Sequence, residues 1–238
     1  MRLWKPILFS TPMVPAILDG RKTQTRRCRG LEVVNEEPAA WSLHAANDIN
    51  GQFLFTHEDG ERLLIAETPW PVGTRLWVRE TTALIYNGGG MYCADGATIP
   101  GWTWRYSRDV CPTIHMPRDC ARIGLEVTAV RCERVQDITE ADAVAEGFPP
   151  AGESYCLPIL GHAEAHGLAV GPSSVGHLCS TAGYGSPTAV TLFAGTWDLL
   201  NAKRGYGWEV NPWVFAYTFT VLSTDYAKTQ RRIAEEAK

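Results

Sequence analysis

The order of helical and extended patterns along the 238 residues constrains the fold more than any single motif does. A short helix pattern comes first, a long strand pattern spans 121–135, and a second short helix pattern follows that strand directly. A further helix pattern then precedes the extended stretch 211–222. Helices and strands therefore occur in mixed order, without the regular alternation of a doubly wound sheet. This order predicts an α+β fold, a small mixed β-barrel with helices at its openings.

The second short helix carries clear signals at both ends. Thr139 can act as its N-cap, Asp142 stands at the capping-box position, and Gly147 is placed to end the helix. The first helix has similar boundaries, because Pro12 suits the first helical position and Gly20 suits the left-handed conformation that ends a helix.

Extended patterns account for the β part of the fold. The run WPVGTRLWVRE predicts a strand in which Leu76 and Val78 share one face, while Trp77 lies on the other face between two arginines. Upstream of it, the runs QFLF and RLLIAE indicate a hairpin.

Three segments lack a sustained pattern and are predicted to be long loop insertions. They lie near 30–66, 83–112 and 149–188. The last is rich in Gly, Ser, Pro and His and exceeds the ~12–15 residues usual for a structureless connection. We therefore predict a single domain over 1–222 that contains these insertions, followed by a charged and dispensable C-terminal tail over 223–238.

Charge and composition limit the partners. The formal net charge is −4, whereas binding along a nucleic-acid backbone needs many Lys and Arg side chains. Contact with nucleic acid is therefore predicted to be confined to a small basic pocket. The sequence also lacks a secretory leader pattern and the ~20 apolar residues of a membrane span. Its seven irregularly spaced cysteines are typical of reduced thiols, so we expect a cytoplasmic protein.

One group of potential metal ligands lies in the last insertion. Its members are Cys156, His162, His166, His177 and Cys179. A zinc site could be assembled from them, and two of the histidines have helical spacing. The segment has no CxxC pattern, however, and HAEAH lacks the glutamate position of HExxH. We therefore expect a mobile polar loop here, with no metal and no cofactor.

The densest basic stretch, GRKTQTRR (20–27), directly follows the first helix. Together with VGTRLWVRE, DITEADAVAEG and the closing WVFAYTF strand, it resembles the signature of ASCH domains, which share the PUA-like barrel fold. The blocks IHMPRDCARIGLEVTAVRCERVQDITEADAVAEG and NAKRGYGWEVNPWVF resemble in particular ASCH proteins encoded by tailed phages and prophages. The matching segments cover somewhat over half the chain and imply a bacterial host cytoplasm. One departure is Gly73-Thr74, where the family often has Gly-Asp.

The resemblance implies a hydrolytic site. Characterised small bacterial ASCH enzymes are amidohydrolases that remove the acyl group from acetylated cytidine, and their motif reads Gly-Arg-Lys-Thr-x-Thr. Lys22 and Thr25 occupy the lysine and nucleophilic threonine positions of this motif. Glu146 lies where the family has its catalytic glutamate, near the end of the short helix after the long strand.

Elementary chemistry is consistent with these roles. A threonine hydroxyl is a weak nucleophile and needs an adjacent base. A lysine can be that base if burial or nearby cations lower its pKa. The arginines of the motif act in that direction, whereas Glu146 favours the charged lysine, so the sequence leaves the balance open. Lys22 and Thr25 face the same way in a turn or bulge but opposite ways in a regular strand.

Other residues are expected to bind the substrate rather than react with it. Arginine does not give up its proton, so the arginines are predicted to hold a phosphate or a base edge. The predicted substrate-binding residues are Arg21, Arg26, Arg27, Trp77, Glu80 and Arg118. The glycine-rich basic turn 203–208 suits either a phosphate contact or a helix stop.

Three functions remain open at this stage. The leading hypothesis is an amidohydrolase of N-acylated cytidine-type nucleosides that uses Thr25, Lys22 and Glu146. The alternatives are a non-catalytic module that binds RNA or a modified base in the same cleft, and a ribonuclease that uses Lys22 and nearby arginines. The expected partner is therefore a modified pyrimidine nucleoside or single-stranded RNA, with no protein partner. The acidic total charge favours a small substrate.

Overall fold

The computed structural model describes residues 4–150 and 188–236. Its strands are β1 (Lys5–Leu8), β2 (Gln24–Arg27), β3 (Trp41–Asn47), β4 (Gln52–His57), β5 (Leu63–Glu67), β6 (Arg75–Arg79), β7 (Thr82–Leu84), β8 (Gly90–Tyr92), β9 (Val110–Cys111), β10 (Gly124–Arg134) and β11 (Trp213–Ser223). Its α-helices are α1 (Met13–Leu18), α2 (Glu140–Ala145), α3 (Ala189–Asn201) and α4 (Tyr226–Glu236).

The main sheet has five strands in the order β1-β6-β10-β11-β2. β1 and β6 are parallel, and the other neighbouring pairs are antiparallel. The long pair β10–β11 forms the centre of this sheet, with Val127 and Tyr217 among its buried residues. The α+β class predicted from the sequence is confirmed, as is the strand containing Leu76 and Val78.

The segment predicted as the first loop insertion is instead a second sheet, with the order β3-β4-β5. The predicted hairpin is present as β4 and β5. Phe53 and Phe55 alternate along β4 toward the main core, where their rings lie 5.1 Å from those of Phe215 and Trp213. The prediction of a loop over 30–66 is therefore wrong, because the inward-facing aromatic residues of this segment pack into the main core.

The segment 83–112 is also more ordered than a surface excursion. It contributes to a third sheet with the order β8-β7-β9. Tyr92 and Ile99 are buried there against Trp4 and Trp77, in a small cluster separate from the main core. The loop prediction is wrong here too, since strands of two or three residues are too short to show periodicity in the sequence.

The C-terminal segment is part of the packed structure. Thr229 of α4 is fully buried, and its hydroxyl donates to the carbonyl oxygen of Arg122 at 2.6 Å. Ile233 is 4% exposed and packs in the same small cluster as Trp4. Residues 223–236 are thus not a detached tail, because α4 covers one side of the small cluster.

The predicted metal ligands between Cys156 and Cys179 lie outside the described residues. Among the residues described, no His, Cys, Asp or Glu side chains come together in a group that could hold a metal. The five cysteines of the described ranges are free thiols: Cys28, Cys93, Cys111, Cys120 and Cys132. None of the helices in those ranges has the length and apolar character needed to cross a membrane.

Candidate active site

A cavity of about 430 Å³ lies where the ends of β1 and α2, strand β2 and one face of α3 meet. Five of the residues predicted from the sequence line it: Arg27 and the four buried residues Lys22, Thr25, Arg26 and Glu146. These four side chains are between 1% and 4% exposed. The cavity therefore unites the basic stretch after α1 with the glutamate at the end of α2, more than 100 residues away in the chain.

The local backbone places Lys22 and Glu146 side by side. The amide of Thr23 donates to the carbonyl of Ala145 at 2.8 Å, which ties the start of β2 to the end of α2. Gly147 follows with φ +100°, and a Cβ there would lie 3.2 Å from the Cβ of Lys22. The helix stop predicted from the sequence is thus also a close approach that any larger residue would crowd.

The capping box of α2 is present as predicted. The Thr139 side chain accepts from the amide of Asp142, and the Asp142 carboxylate accepts from the Thr139 backbone. The carboxylate of Glu140 in the same helix accepts from the first amides of α3, Ala189 at 2.6 Å and Val190 at 2.8 Å. Because this contact fixes the start of α3 beside α2, it sets the position of the cavity wall that α3 provides.

Lys22 is held by one residue through two hydrogen bonds. Its Nζ donates to the Oε2 atom of Glu146 and to the backbone oxygen of Glu146, both at 2.6 Å. The Nζ also lies 5.6 Å from the centre of the Phe9 ring. Since β2 begins only at Gln24, Lys22 precedes the strand, and it lines the same cavity as Thr25 despite their spacing.

The pKa of Lys22 is lowered from the ordinary value of 10.5. Burial is the largest cause because it disfavours the ammonium form, and Arg27 and Arg26 act in the same direction. Glu146 raises the pKa through its charge and its hydrogen bond but does not outweigh burial. The balance left open by the sequence therefore shifts the pKa of Lys22 in the direction that a general base requires.

Arg26 holds the other oxygen of Glu146. Its Nη1 donates to Glu146 Oε1 at 3.1 Å, and its Nη2 donates to Glu133 Oε1 at 2.7 Å. Asp142 lies 3.6 Å from the same Nη2 atom. Arg26 therefore has its charge balanced by carboxylates, and it fixes the orientation of the Glu146 carboxylate.

Arg27 contacts the candidate nucleophile directly. Its Nη1 donates to the Oγ1 of Thr25 at 2.6 Å, and its Nη2 donates to the carbonyl of Leu8 at 2.9 Å. Thr25 and Arg27 are two residues apart in β2 and thus lie on the same side of the strand. A guanidinium donating to a hydroxyl oxygen favours the alkoxide, so this contact lowers the cost of deprotonating Thr25.

Helix α3 supplies a wall that the sequence did not reveal. Its cavity-lining residues follow helical spacing and are Phe193, Thr196, Trp197, Leu200 and Asn201. The rings of Phe193 and Trp197 stack with centroids 5.8 Å apart. The helical spacing indicated a buried face, but nothing in it indicated that this face borders a site. Trp197 is also the tryptophan of the cavity wall, whereas Trp77 packs elsewhere.

Two further arginines line the cavity and were not among the predicted site residues, Arg29 and Arg204. Arg204 lies in the basic turn after α3, and Gly205 follows it with φ +85°. The turn 203–208 thus ends the helix, as one of the two predictions had it, and also contributes a cation to the cavity.

Four of the predicted substrate-binding residues lie away from the cavity. Arg21 is exposed and pairs with Asp19 at 3.0 Å. Trp77 is buried in the small cluster around Trp4. Glu80 is fully buried and accepts from Arg122 at 3.0 Å and 2.7 Å. Arg118 is exposed and, like these three, is not part of the cavity lining.

Two of these four placements, those of Arg21 and Trp77, have a plain physical cause. Arg21 precedes the turn into β2 and points to solvent, while both faces of β6 are covered, which buries Trp77. The substrate-binding set that the structure brings together is therefore Arg26 and Arg27.

Comparison of the chain with protein-family models, curated proteins and solved structures finds no match.

Proposed function

We propose that this chain is an ASCH-type protein with a PUA-like barrel that hydrolyses the amide bond of an N-acylated cytidine-type substrate. Thr25 is the nucleophile, Lys22 its base, Glu146 the proton shuttle, and Arg27 anchors the substrate. The observation that carries the proposal is the buried Lys22, whose pKa is lowered and whose Nζ is hydrogen-bonded to Glu146 in the cavity that Thr25 lines.

The barrel part of the proposal is supported by the two edges of the main sheet. β1 and β2 stand at opposite ends of its strand order. Even so, the Arg27 side chain of β2 donates to the Leu8 carbonyl of β1 at 2.9 Å. An approach of the two edges is what a closed or nearly closed small barrel requires.

The reaction would begin with attack of the Thr25 Oγ on the acyl carbonyl carbon. The hydroxyl proton passes to neutral Lys22, while Arg27, which donates to the Thr25 oxygen at 2.6 Å, favours its deprotonation. The amide C–N bond then breaks, and the exocyclic nitrogen of the base receives the proton from Lys22 through Glu146. Cytidine leaves at this step, and water then attacks the threonine ester to give the free acid and the original Thr25.

The cavity suits a base with its ribose. About 430 Å³ lies within the ~300–1,000 Å³ usual for small-molecule sites. The aromatic side chains of Phe9, Phe148, Phe193 and Trp197 line it and provide faces on which a pyrimidine can stack. Such a site needs no basic surface track, which agrees with the net charge of −4. We further propose the cytoplasm of a bacterial host cell as its location.

The test is release of cytidine from 4-N-acetylcytidine, measured by chromatography. The wild type should turn over, and Thr25→Ala should lose at least roughly 10³-fold in kcat/KM because the change removes the nucleophilic oxygen. Thr25→Ser keeps the hydroxyl and should retain measurable turnover.

The matched control is Arg21→Ala, a change in the same motif at an exposed side chain outside the cavity. It should behave like the wild type. If the folded wild type releases no cytidine from substrates with several different acyl groups, the amidohydrolase proposal fails. RNA binding or RNA cleavage in the same cavity then becomes the better account.

A further inference from the structure

The cavity concentrates positive charge in a chain whose net charge is −4. Among the described residues that line it are five basic side chains and one carboxylate, that of Glu146. The basic residues are Lys22, Arg26, Arg27, Arg29 and Arg204. Acyl transfer on an uncharged nucleoside does not require so many cations.

The carboxylate of Glu146 already has partners within the protein. Both oxygens of Glu146 are bonded, one to Lys22 at 2.6 Å and the other to Arg26 at 3.1 Å. Arg26 is balanced further by Glu133 at 2.7 Å. Within the ranges 4–150 and 188–236, the other three arginines have no carboxylate within ion-pair distance: Arg27, Arg29 and Arg204.

These three arginines act on common neighbours. Arg204 and Arg27 both oppose the effect of burial, which raises the pKa of the Cys28 thiol to about 12. Arg27 and Arg29 both act in the same way on Tyr217, whose pKa burial also raises. All three arginines line the cavity, with Arg27 and Arg29 on either side of Cys28 at the end of β2 and Arg204 in the turn after α3.

Of the three arginines, Arg27 would be stabilised most by a counter-ion. It is partly buried, and burial lowers its pKa because the cation is disfavoured away from water. Guanidinium groups bind phosphate through paired hydrogen bonds, and arginine stays charged at any working pH. A single phosphate group beside Arg27 would therefore offset the charge that the protein itself leaves unbalanced.

We propose that Arg27, Arg29 and Arg204 form a phosphate subsite, so that the cavity takes a nucleoside monophosphate with its pyrimidine against the aromatic wall. This inference rests on the proposed function and specifies its substrate as an acylated cytidine nucleotide. One phosphate fits the cavity volume and needs only these three cations, whereas a polymer needs a basic surface that extends beyond the cavity.

The subsite is tested by binding of the reaction product, which needs no catalysis. Isothermal titration calorimetry compares cytidine with cytidine 5′-monophosphate on the full chain. The monophosphate should bind at least roughly tenfold tighter, because charge-assisted hydrogen bonds to phosphate are added. Arg204→Gln and Arg29→Gln should each reduce that ratio, and the double variant should bring it close to one.

Arg21→Gln is the matched control, since this arginine is equally exposed but lies outside the cavity, and it should keep the wild-type ratio. Equal affinity for cytidine and its monophosphate in the wild type would overturn the subsite, even if 4-N-acetylcytidine is hydrolysed. A tighter monophosphate with no hydrolysis of any acylated cytidine would leave the subsite standing and reject the proposed chemistry.

A third ligand separates the nucleotide from a polymer. A single-stranded oligocytidylate should bind no tighter than the monophosphate, with a similarly shallow dependence on salt. The contrary result is far tighter binding of the oligonucleotide, with a slope of log affinity against log salt concentration that corresponds to several neutralised phosphates. In that case the monophosphate proposal is wrong and RNA is the ligand.

Discussion

Replacing Lys22 by methionine is expected to lower kcat/KM for 4-N-acetylcytidine by roughly 10²–10⁴-fold, the range typical of removing a general base. Methionine has a similar length and no titratable group, so the change removes the base while filling most of the space. The protein should stay folded because the Glu146 carboxylate keeps its hydrogen bond to Arg26 at 3.1 Å. Steady-state kinetics together with circular dichroism check both parts.

Two further variants serve as controls for this prediction. Arg21→Met makes the same kind of change at the neighbouring exposed residue and should leave kcat/KM unchanged. Lys22→Arg keeps a positive charge but cannot supply a neutral base, so it should be as inactive as Lys22→Met. An active Lys22→Arg variant would mean that the charge of Lys22, rather than its basicity, is what the reaction uses.

The second large effect concerns stability. Arg122→Met is expected to reduce the free energy of unfolding by about 3–5 kcal/mol, the usual cost of leaving one member of a buried ion pair without its partner. Glu80 is fully buried, and Arg122 donates to both of its carboxylate oxygens. Arg122 also bonds Asp95 at 2.7 Å, which ties the third sheet to β6 and to the segment before β10. Urea denaturation measures the change.

The pH dependence of that loss has a definite sign. Burial already raises the pKa of Glu80 above 4.5 against the opposing effect of Arg122, and removing the arginine raises it further. The folded variant then binds a proton that the unfolded chain releases, so its stability falls as pH rises above 4.5. Arg131→Met is the matched control, because its partly exposed ion pairs should contribute less than about 1 kcal/mol. Equal losses in both variants would contradict this account.

The parts of the site that follow from local rules were predictable. The capping box of Thr139 and Asp142 and the stop at Gly147 fix where α2 ends, and Glu146 is the residue at that end. The basic motif then identified Lys22 and Thr25 by resemblance. These features depend on a few neighbouring residues, which is why the sequence alone was sufficient for them.

The parts that depend on distant contacts were not predictable. Phe193, Trp197 and Arg204 reach the cavity through the packing of α3 beside α2, where Glu140 accepts hydrogen bonds from the first amides of α3. The helix α4 has a charged sequence that indicated a solvated tail, yet Thr229 and Ile233 are buried by contacts with distant residues. Composition could not reveal either arrangement, since both are set by tertiary packing.

The direction of the Lys22 pKa shift could not be predicted from the sequence either. Its neighbours in the motif lower the pKa and Glu146 raises it, and the decisive contribution is burial of the side chain to 2% exposure. The complete enclosure of Lys22 by α1, the end of α2 and β2 is a property of the folded chain. For the same reason, Trp77 in β6 and Glu80 directly after it looked available for a substrate but are buried.

The pH dependence of kcat/KM for 4-N-acetylcytidine tests the central claim most directly. In the proposed mechanism neutral Lys22 is the active form, so kcat/KM should be low at acidic pH and should rise as Lys22 loses its proton. Because burial lowers the pKa of Lys22, this rise should be centred below 10.5, and Arg21→Met should not move it. A kcat/KM that stays constant or falls with rising pH over this range would contradict Lys22 as the base that activates Thr25.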